Sequence, residues 1–251
     1  LMFRPETPVP DDIKSWAIKQ LHSKSPALGV SSSFSKKIKE WPKNLQPNLE
    51  KRDAMFRLYK VNRKKENEGL EGQDTPQAIQ INYRKNLMGV TDELKFAHRN
   101  VYGNDQVRLR FASFWANHFT MGNIHDNQNE IGHAIDKAIL AKLNGNFSQM
   151  LYKVTSHPAM LIYFDNIYSI GENSPKAREM RARGEQAGLN DNLGRELLEL
   201  HTVSPSAKYT EKDIKNAAKV LAGWSLEHHN TIQEEIREAG TANTWDMYKK
   251  H

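Results

Sequence analysis

The residues of this chain best suited to act together lie in Asn190-Asp191-Asn192-Leu193-Gly194-Arg195-Glu196-Leu197-Leu198-Glu199-Leu200-His201. As a helix, this stretch puts Asn192, Arg195, Glu196 and Glu199 on one side and Leu193, Leu197 and Leu200 on another. Arg195 and Glu199 are four apart and can pair along the helix, as can Asn192 and Glu196. Two carboxylates one turn apart, an Arg that binds an anion or holds a carboxylate, and an orienting amide form a candidate site. Carboxylates at i and i+3 share a metal in helical bundles, usually with Glu-x-x-His contributions from other helices. That partner motif is missing, since Thr202 stands three residues after Glu199. The alternatives are a buried ion-pair network that fixes helix packing, or a solvated face. Buried charge is costly, so something must use or pair it.

His118 lies three and seven residues after Trp115 and Phe111. Such a His is usually a hydrogen-bonded core residue, but its near-neutral pKa also suits a ligand or an acid–base group. His157, before Pro158, is expected to cap the preceding helix. Asp165 and Asn166 can cap or ligate. His125, Asp126, Glu130 and His133 match no standard zinc spacing and are read as surface. There is no glycine-rich phosphate loop, no G-x-S-x-G elbow and no H-E-x-x-H. Cysteine is absent, which excludes a disulfide framework and a thiolate zinc site.

Four stretches in order resemble a bacterial family, domain of unknown function 1800. They are RFASFWANHF at 110–119, HPAMLIYFDN at 157–166, NDNLGRELLELHTV at 190–203 and YTEKDIKNAAKVLAGW at 209–224. Four ordered motifs are far more specific than one. Asp191, Gly194 and Ala222 depart from the usual Glu, Ala and Thr, and Ser204 stands where Gly often ends the helix. Position 201 is Phe in many relatives, which weakens a catalytic role for His201. The family has no established chemistry. The resemblance implies export to the periplasm or cell envelope, and a sulfatase-like exported partner encoded nearby. The family pattern continues past Tyr248-Lys249-Lys250-His251, so the resemblance also implies a fragment lacking a C-terminal part that holds part of the site.

The elements that must position these residues are helices. Asp11-Asp12 starts one, with Ile13, Trp16, Ala17 and Leu21 at helical spacing. Residues 23–35 read as loop, 49–64 as a second helix, and 63–74 as a charged linker or long surface loop. Thr75-Pro76 opens a continuous helical pattern. Asn104 or Asp105 starts the next helix, with Val107, Phe111, Phe114, Trp115 and His118 on one side. Amphipathic helices follow at 131–143 and 147–155, then a polar stretch at 171–189 that is loop or exposed helix. Thr210 to Asp213 resembles a capping box leading into Ile214, Ala217, Leu221 and Trp224. The expected fold is all-α, an irregular multi-helix bundle. Residues 1–74 would form an N-terminal helical region with a basic linker, and 75–251 the core with the motifs, or both one continuous domain.

Composition adds bounds. A hydrophobic fraction of 38% and a charged fraction of 26% are within globular range. No run approaches the roughly 18 apolar residues of a membrane span, and no signal peptide is visible. The net charge of +6 is concentrated before residue 104, but no nucleic-acid-binding motif accompanies it, so no nucleic acid is expected. Two functions stand. One is an enzyme or ligand-binding protein with a polar inter-helix site of Asn192, Arg195, Glu196 and Glu199, faced by His118 and Asp165. Metal-assisted hydrolysis is its least strained reaction, with a divalent metal on Glu196, Glu199, His118 and Asp165. The other is a structural or partner-binding cell-envelope protein whose polar helix is a buried packing network.

Overall fold

The Asp12 carboxylate accepts a hydrogen bond from the Ser15 backbone N–H (3.0 Å) and so caps α1, Ile13–Leu21, as the acidic pair predicts. The computed structural model describes residues 10–22, 47–52, 55, 59, 76–103, 105–123 and 128–226. The predicted loop at 23–35, the linker at 63–74 and most of the helix at 49–64 lie outside the described residues; 49–52 are helical.

α2, Pro76–Tyr102, starts with its proline at the first helical position, where a missing N–H costs nothing. α3, Gln106–His118, follows from Asp105 as expected. The side that carries the aromatic residues is only partly inward, with Trp115 packed on the main core. Leu109 and Ala112 are buried, whereas Phe111 and Phe114 are 48% and 59% exposed. Leu109 and Ala112 pack with Leu140, and the small Ala112 lets this helix lie close where a Phe would hold it off.

α4, Gln128–Ala134, runs on into a π turn, Ile135–Ile139, and a 3-10 turn, Leu140–Lys142. The apolar spacing predicts one regular helix here. The change of pitch serves two clusters at once. Ile139 enters the main core, and its neighbour Leu140 joins Leu109 and Ala112. α5, Phe147–Thr155, ends at Ser156. α6, Pro158–Tyr163, is capped by His157, whose ring Nδ1 accepts from the Ala159 N–H (3.2 Å). His157 therefore caps the helix that follows, not the one before, because Pro158 places it at an extended N-cap position.

The polar stretch after Gly171 contains a helix, α7, Pro175–Ala182, capped by the Ser174 hydroxyl. α8, Asn192–Glu199, and α9, Glu211–Leu221, pack against each other. Asp213 accepts from both the N–H and the hydroxyl of Thr210 (2.8 and 2.7 Å), fixing the start of α9. Phe119, Ile139, Val154, Met160 and Leu193 form the centre of the main core. The fold is all-α, with no strand among the described residues. No described helix is long and apolar enough to cross a membrane.

Candidate functional site

α8 buries Leu193 and Gly194 against α9 and turns its polar residues to a half-exposed side. Arg195 does not pair with Glu199 as predicted. Its guanidinium grips Glu211 on α9 through both terminal nitrogens (3.0 Å each) and reaches Asp191 at 3.5 Å. A bidentate fork to a facing carboxylate outcompetes a single contact along the helix. No hydrogen bond joins Asn192 to Glu196; Asn192 is exposed, and its backbone N–H is capped by the Asn190 side chain (3.0 Å). Glu199 takes a hydrogen bond from the Tyr209 hydroxyl, whose pKa is raised by burial and by that carboxylate.

Glu196 is the member without a partner. Its Oε2 is buried and accepts no hydrogen bond. Burial first, and then the charge of Glu199, push its carboxyl above the ordinary value against the pull of Arg195.

His118 comes against the end of α8. Its Nε2 lies 3.2 Å from the backbone carbonyl of His201. A carbonyl only accepts, so Nε2 carries the proton. Phe119 and Trp115 pack edge-on to this ring, with centroids at 4.7 and 5.3 Å. His201 is 3% exposed, and burial, then His118, lower its pKa to about 4. Its ring sits among Phe119, Phe164 and His118, a setting a Phe side chain also suits. Asp165 stands apart. It takes a left-handed conformation (φ 54°) at the start of the 3-10 turn Asn166–Tyr168, and no hydrogen bond or ion pair ties it to α8. Among the described residues no three His, Asp or Glu side chains are placed to hold a metal, so Glu196, Glu199, His118 and Asp165 are not gathered into one.

A second polar cluster escaped sequence reasoning. Glu130, read as surface, is 1% exposed, and His133 is half-buried; His125 and Asp126 lie outside the described residues. α4 turns them inward because Gly132 sits directly on Asp92 of α2. Arg52 bonds Asp92 (2.5 Å) and the Asn129 carbonyl, and Lys95 and Arg99 both bond Asp136. His133 Nδ1 lies 3.0 Å from His157 Nε2. His157 Nδ1 already accepts from Ala159, so His157 Nε2 donates to His133. Burial lowers both pKa values, to about 4 for His133 and about 3 for His157. The available signal was polar residues at helical spacing on both α2 and α4, which sequence alone assigns to solvent.

The chain matches the family described as "Protein of unknown function (DUF1800)" over residues 9–249. It belongs to that family. The match extends on both sides of the four motifs, and it does not bear out the expectation of a fragment. No curated protein and no solved structure matches it. Within the DUF1800 motifs, His157 caps α6, and Asn166 donates to the carbonyls of Leu221 (3.1 Å) and Trp224 (2.9 Å) at the end of α9. Those two motif residues hold the frame. Among the motif residues, Glu196 Oε2, Asn166 Oδ1 and His201 Nδ1 are buried without a hydrogen bond, and Glu196 is the one carboxylate of the three.

Proposed function

We propose that the polar side of α8, together with His118 at its end, is a ligand-binding or catalytic acid–base site. The observation that carries this is the buried, unpartnered Glu196 Oε2. In a packing network the neighbouring Arg195 would satisfy it, yet Arg195 is committed to Glu211 and Asp191. Burial pushes the Glu196 carboxyl above its ordinary value, toward the proton-transfer range of a general acid or base, and the His118 ring lies at the end of the same helix. Asn192 and Glu199 line the same side of α8, and hydrolysis is the reaction class that uses such groups. A divalent metal would join Glu196 and Glu199 if it takes part.

The test compares wild type with Glu196→Gln in thermal melts, with and without Zn2+ and Mn2+, and in hydrolysis of p-nitrophenyl esters and phosphates. The expected result is a variant at least as stable as wild type that has lost hydrolysis or the metal-induced rise in Tm. A large loss of Tm, with neither metal effect nor hydrolysis in wild type, leaves the packing role instead. The exposed Phe111 and Phe114 favour a second reading, a partner-binding protein of the bacterial cell envelope whose partner is a sulfatase-like exported protein. Co-purification of the two proteins, abolished by Phe114→Glu, would support that reading.

A further inference from the structure

α2 is built the wrong way round for a surface helix. Its inward side carries Lys85, Asp92 and Arg99, exposed by only 5%, 6% and 7%. Its outward side carries Val90, Leu94 and Val101, exposed by 41%, 56% and 54%, with Ala97 exposed between them. The intervals of four, three and four are those of a coiled-coil seam, and the four residues fall within an arc of about 60°. Single apolar residues on a surface are ordinary; a row at seam spacing is not.

We propose that this row is the seam of a homodimer in which α2 packs antiparallel on the α2 of a second copy. The row fits itself in that arrangement. With a twofold axis midway between Leu94 and Ala97, Leu94 faces the partner's Ala97 and Val90 faces the partner's Val101. Each layer then sets a large side chain on a small one, or one β-branched side chain on another. A parallel pairing would stack Leu94 on Leu94 and leave a gap between the two alanines. The helix is already ordered on the inward side by Arg52–Asp92 and by Lys95 and Arg99 on Asp136, so dimerisation orders little that is not fixed. The seam is about 16 Å long, which suits a reversible dimer rather than an obligate one.

The chain has no cysteine, so cross-linking is clean. In the full chain under oxidation, Val90→Cys/Val101→Cys should give a disulfide-linked dimer. Val90→Cys alone should not, because the two copies of residue 90 sit about 16 Å apart along the seam. Sedimentation should show a concentration-dependent monomer–dimer equilibrium. Leu94→Glu, exposed in the protomer and so compatible with its fold by circular dichroism, should weaken it by about tenfold or more. A wild type that stays monomeric at about 100 µM overturns the proposal. So does a dimer unmoved by both Leu94→Glu and Val90→Lys, or one that Val90→Cys alone cross-links.

Discussion

His157 and Glu196 show how burial acts with opposite sign on a base and an acid. The buried His157 and its partner His133 are held neutral, with pKa values of about 3 and about 4, below an unfolded value near 6.5. Their contribution to stability is full above that unfolded value and is lost as the pH falls toward the folded ones. Tm should therefore drop between pH 6.5 and 4, and drop less steeply in His157→Asn, which keeps an acceptor for the Ala159 N–H. His157→Ala should cost about 2–4 kcal/mol at pH 7, the sum of a lost N-cap and a buried void beside His133. Urea melts of the two variants separate the parts, since Asn restores about 1 kcal/mol of capping. For Glu196 the folded pKa is raised, so its contribution is full below the unfolded carboxyl value and is lost as the pH rises through the folded one. Glu196→Gln should match wild type in acid and gain on it in Tm as the pH climbs through the carboxylate range.

Two glycines set how closely helices approach, and they differ in degree. A Cβ at Gly132 of α4 would lie 2.2 Å from the Asp92 Cβ on α2. A Cβ at Gly194 of α8 would lie 2.8 Å from the backbone nitrogen of Ala218 on α9. Both sites are helical, so alanine also gains about 1 kcal/mol of intrinsic propensity. At Gly132 the clash falls on a buried, ion-paired residue, and moving it disturbs Arg52. Gly132→Ala should cost about 3 kcal/mol net, near the top of the overpacking range. At Gly194 the nearest atoms are backbone of α9, which must move as a unit but carries no buried ion pair there, so Gly194→Ala should cost about 2 kcal/mol. Equal losses in chemical denaturation would contradict this ordering. Neither contact was legible in the sequence, where Gly194 stands only as a departure from the family's usual alanine.

At the scale of the whole molecule, the α2–α4 contact is held by buried charge more than by apolar packing. Burial pushes the Asp92 carboxyl up in spite of Arg52. Burial would also raise Asp136, yet Lys95 and Arg99 together bring it below its ordinary value. Such pairs add little over an apolar contact, but removing one half strands the other. Asp92→Ala should leave Arg52, 2% exposed, without its counter-charge and cost about 3–5 kcal/mol. Arg52→Met/Asp92→Leu should recover most of that loss, and calorimetry of the two variants decides it. A small loss in Asp92→Ala would mean that Arg52 finds water.

The sequence by itself determined the all-α class and several helix starts. Asp12, Pro76, Pro158 and the Thr210–Asp213 pair act within one turn of chain, so their capping chemistry is local and legible. It also determined the family, and which polar residues share the side of α8. The tertiary structure alone decided which polar faces are buried. Asp92, Arg99, Glu130 and His133 carry the same pattern as a solvated face, and the approach of α4 to α2 at Gly132 buries them wholly or in part. It likewise decided that Arg195 turns to Glu211, sixteen residues on, and that Glu196 is left without a partner. Capping and periodicity are set by neighbours in the chain, whereas burial and pairing depend on groups the sequence places far away.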